Sequence, residues 1–170
     1  MSAPRQPAPT PPRATAPTLA FEAEFLDGLT TLFEERIAFN RVMGLRVDRI
    51  AGDGVTGHLV MKPELIGHYA HHRLHGGVIS ATLDAMAGLA VMAAIGARHL
   101  DETPAERLRR FAKLGTIDLR IDYLRPAIGE RFTLEAEVLR LGSRVASTRM
   151  GFRDVAGKLL ATGSSAYIVS

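Results

Sequence analysis

The chain has 170 residues, a usual size for one domain, and 46% of them are hydrophobic, which is typical of a globular protein with a sizeable core. It contains no cysteine, which excludes a disulfide scaffold, a cysteine-ligated zinc or iron–sulfur site and a thiol nucleophile, and which favours a cytoplasmic location. The net charge is +3, and the basic residues alternate with acidic ones, so we expect no nucleic-acid partner.

The N-terminal region divides into a tail and a helix. Residues 1–18 hold six of the nine prolines, and such a segment buries too little apolar surface to fold, so we predict a disordered tail. Residues 19–170 are predicted to form a single domain, in which residues 19–43 are an N-terminal helix and residues 44–170 the core. Apolar side chains recur every three or four residues in this helix, and Gly44 is a plausible stop.

Residues 76–97 form the most apolar stretch of the chain. The stretch is long enough to span a membrane, but Asp84 lies inside it, and an unpaired carboxylate is costly in lipid. A helix that is apolar on all sides is otherwise a buried central helix. We therefore predict a core helix and no membrane partner.

Strand patterns lie on both sides of this helix. Residues 45–62 read as a hairpin that turns at Gly52–Gly54, and residues 100–113 are predicted as a loop or short helix. Residues 116–123 show the cleanest alternation of polar and apolar side chains, and three further alternating segments follow through residue 169. The prediction is an α+β domain in which a curved antiparallel sheet wraps around the long central helix, with an extra N-terminal helix.

The segment Leu74–Asp84 carries the pattern with the clearest chemical meaning. Gly76 and Gly77 open the central helix, where a ligand can approach the backbone closely because glycine has no Cβ. The first amides of a helix have no partners within the helix and lie at the positive end of its dipole. We expect the Gly77 N–H to polarise a bound carbonyl group.

Asp84 is the second candidate group, because a carboxylate in an apolar helix is costly unless it is paired or functional. It is suited to act as a nucleophile or as a general base that activates water. Gly77 and Asp84 lie ~10 Å apart along one helix, too far for one carbonyl to contact both. Two antiparallel copies of the helix would bring each glycine to the partner's aspartate, which predicts an obligate homodimer with shared sites.

The HGG motif at residues 75–77, Asp84 seven residues later, and the segment Thr116–Pro126 together resemble the hotdog-fold acyl-CoA thioesterases, and among them the PaaI-like group. The resemblance covers roughly residues 42–169. It implies a homodimer whose sheets join, sometimes paired into a homotetramer, and hydrolysis of acyl- or aroyl-CoA thioesters without a metal or other cofactor.

The resemblance also implies residue roles. Gly77 corresponds to the amide that polarises the thioester carbonyl, Asp84 to the catalytic carboxylate, and His75 to the motif histidine near the thioester. Thr116 lies where related enzymes place a hydroxyl that positions water. Related enzymes often carry an asparagine six or seven residues before the motif histidine, where this chain has His68 and Tyr69. We expect His68, together with Thr116, to help to place the water. The remaining residues predicted to contact substrate are Gly76, Tyr69, Ser80 and Arg125.

Two clusters permit other interpretations. His68, His71, His72 and His75 invite a metal site, but no carboxylate lies nearby in the sequence, so we predict no metal. The basic group Arg107, Arg109, Arg110 and Lys113 is interpreted either as a contact to coenzyme A phosphates or as a solvated face.

Three other functions remain open at the level of sequence. The first is a hotdog hydratase or dehydratase, since one fold hosts several chemistries. The second is a module that binds acyl-CoA or lipid without catalysis. The third is a membrane protein with a single span.

Overall fold

The structure is a computed structural model that describes residues 21–170. The predicted proline-rich tail, residues 1–18, lies outside the described residues. The helices are α1 (Ala23–Thr31), α2 (Ala38–Met43), α3 (Gly76–Arg98) and α4 (Pro104–Arg109). The strands are β1 (Arg46–Ala51), β2 (Gly54–Val60), β3 (Ile66–His68), β4 (Arg73–Leu74), β5 (Gly115–Tyr123), β6 (Arg131–Leu141), β7 (Val145–Asp154) and β8 (Leu159–Ile168).

The main sheet has six antiparallel strands in the order β1-β2-β6-β7-β8-β5, and α3 packs across it. Side chains on β6 alternate between the two faces, with Phe132, Leu134 and Ala136 buried against the helix side and Thr133 and Glu135 exposed. This pattern confirms the predicted architecture, an antiparallel sheet wrapped around a long central helix.

The central helix is buried over most of its length, as the sequence predicts. From Met86 to Ala93 every residue is buried. Within residues 21–170, α3 is the one helix long and apolar enough to span a membrane, but about two thirds of its most apolar window is covered by the rest of the domain (67%). Because α3 is buried on most of its surface, its side chains are apolar on all sides, as is typical of a core helix.

The N-terminal helix differs from the prediction of one continuous helix. A π-helical turn, Leu32–Arg36, follows α1, and the chain becomes extended at Ile37 before α2 begins. The buried side chain of Asn40 donates to the Phe33 carbonyl at 2.9 Å. The break in the helix leaves this carbonyl without a backbone N–H donor from residues 21–170, and the Asn40 amide takes that place. Gly44 ends α2 in the left-handed conformation (φ 78°), as expected of a helix stop.

Strand β5 forms one edge of the sheet, so its alternation of polar and apolar residues does not correspond to one exposed and one fully buried face. Ile117 is 57% exposed and Tyr123 is 54% exposed, although the period-two pattern suggests one buried apolar face. A bulge between Thr116 and Asp118 shifts the register against β8, and the outer side of the strand has no neighbour within the described chain. The strand itself is confirmed, but part of its apolar face is open to solvent.

A short two-stranded ribbon, β3 with β4, precedes α3 and was not predicted. It carries His68 and leads directly into the HGG motif. The His75 N–H donates to the Leu65 carbonyl at 2.9 Å, which fixes the direction in which the chain enters α3. The ribbon therefore positions the first turn of the central helix.

Candidate active site

The first part of the site is the N-terminus of α3. His75 is the N-cap, and its Nδ1 accepts a hydrogen bond from the Gly77 N–H at 2.8 Å. The His75 carbonyl accepts from the Val78 N–H at 3.0 Å and from the Ile79 N–H at 3.3 Å. The cap thus supplies an acceptor that the first turn of a helix lacks, a role more common for Ser, Thr, Asp or Asn.

This cap bears on the expectation that the Gly77 amide polarises a carbonyl group. The Gly77 N–H is occupied by the imidazole of His75 and does not face a ligand freely. The Gly76 N–H, by contrast, has no hydrogen-bond acceptor within residues 21–170. The amide at the positive end of the helix that remains free to bind an oxygen is therefore that of Gly76.

Tyr123 lies against the same end of the helix. Its hydroxyl donates to the Gly76 carbonyl at 2.9 Å, and a Cβ added at Gly76 would lie 3.4 Å from the tyrosine ring. A cavity of about 380 Å³ opens here between α3 and the end of β5, and Arg125 is among its lining residues. The Arg125 guanidinium donates to the Leu159 carbonyl at 2.8 Å, so it also supports the backbone.

The second part of the site is Asp84, two turns further along α3. The side chain is half-buried, and its Oδ1 accepts hydrogen bonds from the Thr116 hydroxyl at 3.0 Å and from the Tyr167 hydroxyl at 2.6 Å. Thr116 and Tyr167 are directly paired on the neighbouring strands β5 and β8. The sheet thus presents two hydroxyl donors side by side to one carboxylate oxygen.

Tyr167 is 3% exposed. Burial, followed by the hydrogen bond to the Asp84 carboxylate, raises the pKa of its hydroxyl well above the usual range. The hydroxyl therefore remains a hydrogen-bond donor at any pH near neutrality.

Asp84 borders an apolar cavity of about 330 Å³. Phe33 and Phe111, whose rings pack edge to face at 5.7 Å, form part of its wall, and Gly88 lies on α3 one turn beyond Asp84. The remaining lining residues are mostly apolar: Ile37, Phe39, Asn40, Ala81, Ala85, Leu114, Gly115, Thr116 and Tyr167. The arrangement places a carboxylate beside a space suited to a hydrocarbon group.

The other predicted site residues lie apart from Asp84 or are bonded internally. The Ser80 hydroxyl donates to the Gly77 carbonyl at 3.1 Å, an ordinary contact within a helix. Tyr69 is 87% exposed on the segment between β3 and β4. His68 is half-buried, its Nδ1 has no partner within residues 21–170, and its ring stacks on that of His71 at 4.7 Å.

No group of three histidine, aspartate or glutamate side chains converges as a possible metal site in the part of the chain that the structure describes. The stacking of His68 on His71 gives those two rings a contact that involves no metal.

Within the basic group, Arg107 differs from both interpretations of the sequence, whereas Arg109 and Lys113 are exposed, as on a solvated face. Arg107 is fully buried, with its guanidinium 4.4 Å from the centre of the Phe25 ring and a hydrogen bond of 2.5 Å to Glu22. Arg110 pairs with Glu102. Arg107 thus links α4 to the start of α1, and it is neither a solvated charge nor a contact for phosphate.

Sequence reasoning missed Tyr167, which lies 83 residues from Asp84 in the chain. It is the single aromatic residue of β8, and an aromatic hydroxyl in a buried strand position needs a partner, which was the available signal. The structure brings Thr116 to Asp84 as one group and His75, Gly76 and Gly77 together as another, two helical turns apart.

Comparison with known proteins assigns this arrangement to a family. The family model described as thioesterase superfamily matches residues 71–161, which include the HGG motif, Asp84 and Thr116. The chain belongs to the thioesterase superfamily. Medium/long-chain acyl-CoA thioesterase YigI of Escherichia coli K12 is 36% identical over 138 residues, which cover 81% of this chain and 89% of that protein.

Solved structures of this superfamily share the fold. A Shewanella oneidensis protein related to the thioesterase superfamily is 40% identical, has a TM-score of 0.82, and is matched over 87% of this chain and 97% of its own. Thioesterase superfamily member 2 from Mus musculus is 20% identical with a TM-score of 0.68, over 88% of this chain and 100% of its own, and shows the likeness of fold alone.

Proposed function

We propose that this protein hydrolyses acyl-CoA thioesters to the free acid and coenzyme A. The observation that carries the proposal is a carboxylate, Asp84, held by two hydroxyl groups at the edge of an apolar cavity. The relative that is 36% identical is named as a medium/long-chain acyl-CoA thioesterase, which supports the same reaction and an aliphatic acyl group of that length.

The N-terminus of α3 is the proposed site for the thioester carbonyl. The Gly76 N–H is free to donate to the carbonyl oxygen, and the helix dipole adds to the stabilisation of the negative charge that develops there. His75 holds the Gly77 N–H and so fixes the first turn that presents the Gly76 amide. His75 is in this respect a positioning residue.

Asp84 supplies the reactive carboxylate. As a general base it takes a proton from water, whose oxygen attacks the carbonyl carbon and displaces the thiolate of coenzyme A. As a nucleophile it attacks that carbon itself and displaces the same thiolate, and water then hydrolyses the resulting anhydride to the free acid and the Asp84 carboxylate. Both routes require the ionised form of the Asp84 carboxylate. That His68 orients the water remains a prediction from the sequence.

The active site is proposed to be shared by two chains. Gly76 and Asp84 are ~12 Å apart along the axis of α3, so one thioester carbon cannot contact both groups of one chain. Exposed Ile117 and Tyr123 on the β5 edge give a second copy an apolar surface against which the sheet can continue. A two-fold axis there would bring the Gly76 of each chain towards the Asp84 of the other.

Several finer points belong to the same proposal. The PaaI-like subgroup and the pairing of dimers into a tetramer rest on the sequence resemblance, and the cytoplasmic location rests on the absence of cysteine. The cavity bordered by Phe33, Phe111 and Gly88 is the proposed acyl site.

The test is release of free thiol from a panel of acyl- and aroyl-CoA esters by the wild-type protein and by Asp84→Asn. We expect turnover by the wild type and a loss of about a thousandfold or more in the variant, because the amide cannot act as base or nucleophile. Near-normal turnover by Asp84→Asn would remove the carboxylate from the mechanism.

The same assay separates the other functions. Tight binding of coenzyme A esters without thiol release would indicate a binding module. Formation of an enoyl or hydroxyacyl product with the thioester intact would indicate a hydratase or dehydratase. Loss of activity on treatment with a chelator would point to a metal at the histidine cluster.

A further inference from the structure

Tyr167 contacts Asp84 in a way that the proposed reaction does not yet use. Its hydroxyl oxygen lies 2.6 Å from Asp84 Oδ1 and also 2.6 Å from the Asp84 main-chain carbonyl. A phenol has one proton to donate, and the charged carboxylate is the stronger acceptor of the two. The buried tyrosine therefore holds the side chain of Asp84 close to its own helix backbone.

The two oxygens of Asp84 differ in their surroundings. Oδ1 accepts from both Tyr167 and Thr116, whereas Oδ2 accepts no hydrogen bond from residues 21–170. A carboxylate oxygen with two donors is less basic than one with none, because each donor stabilises negative charge on it. The contacts of one chain thus make the two oxygens of Asp84 unequal.

We propose that Tyr167 is a positioning residue of the active site, which together with Thr116 holds Asp84 Oδ1 and leaves Oδ2 as the oxygen that acts on water or on the thioester. The inference rests on the proposed thioesterase function. It also alters the part expected of Thr116, whose hydroxyl proton is directed to the carboxylate and not to water. The directly paired positions of Thr116 and Tyr167 make the two donors one unit of the sheet.

Few other groups compete for Asp84. Among the residues that line its cavity, Asp84 and Tyr167 are the two titratable ones. Asn40 from α2 and Thr116 from β5 are the other polar side chains there, and the wall contributed by Phe33, Phe111 and Leu114 is apolar. The hydroxyls of Tyr167 and Thr116 are therefore the side-chain donors within residues 21–170 that hold the Asp84 carboxylate.

The substitution Tyr167→Phe removes the hydroxyl and keeps the buried ring. The value of kcat at the optimum should fall about tenfold as Asp84 gains rotational freedom, while KM changes little. Thr162→Val is the matched control. Thr162 lies on β8, as Tyr167 does, and its hydroxyl donates to the Met150 carbonyl on β7.

A structural role alone would predict a different result. If Tyr167 only supports the fold, Tyr167→Phe lowers the unfolding temperature but leaves the kcat and KM of the folded protein where Thr162→Val leaves them. A folded Tyr167→Phe variant with the kcat and KM of the wild type overturns the proposal.

A second measurement does not depend on turnover. The signal of the Asp84 carboxyl carbon can be compared by NMR in the wild-type protein and in Tyr167→Phe at neutral pH. We expect the signal to differ between the two proteins because the hydrogen bond to Oδ1 is lost, and an unchanged signal overturns the proposal. If the signal changes but neither protein hydrolyses any ester, the hydrogen bond stands and the thioesterase function fails.

Discussion

The two ends of the proposed catalytic segment of α3 are built differently. The first turn, at His75–Gly77, lies largely open to solvent, and its cap is local, because His75 Nδ1 accepts from the amide two residues further on. One distant residue, Tyr123, donates to the Gly76 carbonyl. Asp84 is half-buried, and its partners Thr116 and Tyr167 come from strands 32 and 83 residues distant. One end is a local sequence motif, whereas the other is a product of the whole fold.

In the proposed mechanism, this difference separates a binding role from a reactive role. The amide of Gly76 lacks an acceptor within the described residues, as is required of a group that must receive an incoming oxygen. The carboxylate of Asp84 is already held in one orientation, as is required of a group that must meet the substrate in a defined geometry. The open end, which is the first turn at His75–Gly77, is suited to binding. The buried end, which is Asp84 with its two hydroxyl donors, is suited to reaction.

The larger of two predicted effects concerns the open end. Gly76→Ala adds a methyl group that fits against Tyr123 at 3.4 Å, so the protein should fold. The methyl group narrows the approach to the free amide, and we expect kcat/KM to fall about a hundredfold, a loss typical of a damaged oxyanion site. The measurement is thiol release beside circular dichroism, and a folded variant with wild-type activity would rule out the Gly76 amide.

A smaller effect is expected beyond the buried end. A Cβ at Gly88 would lie 3.6 Å from Tyr167 and 3.7 Å from Leu114 and Phe33, an ordinary contact distance. Gly88→Ala therefore fills part of the cavity without strain and should raise the unfolding temperature, since alanine favours a helix. The value of kcat/KM should fall about tenfold for long acyl chains, because the cavity loses room for their methylene groups.

The internal control for Gly88→Ala is an ester whose acyl group is too short to reach Gly88. Its kcat/KM should stay within about twofold of the wild type. An equal loss for short and long esters would show that the substitution disturbs Asp84 and not the acyl site. No loss for either would mean that the acyl chain lies elsewhere.

The open end was the easier one to predict from sequence, because its signal is local. Two glycines before an apolar run mark the start of α3 at Gly76, which the structure confirms. The pattern does not show that His75 accepts from the Gly77 amide, because a histidine N-cap is less common than Ser, Thr, Asp or Asn at this position.

The buried end required long-range information. The cost of a charge in an apolar helix is enough to single out Asp84, but not its donors. Tyr167 approaches Asp84 because β8 pairs with β5 in one register, and alternation alone does not fix that register. The break of the N-terminal helix at Ile37 and the ribbon β3–β4 were missed for the same reason, since tertiary contacts decide them.

The most direct test of the shared site is complementation between two inactive variants. Asp84→Asn and Gly76→Ala are unfolded together, mixed in equal amounts and refolded, so that about half of the dimers contain one chain of each kind. A mixed dimer has one site with both defects and one with neither, so the account predicts that about a quarter of wild-type thioesterase activity returns. Mixed dimers that form without any recovery would contradict a site built from two chains.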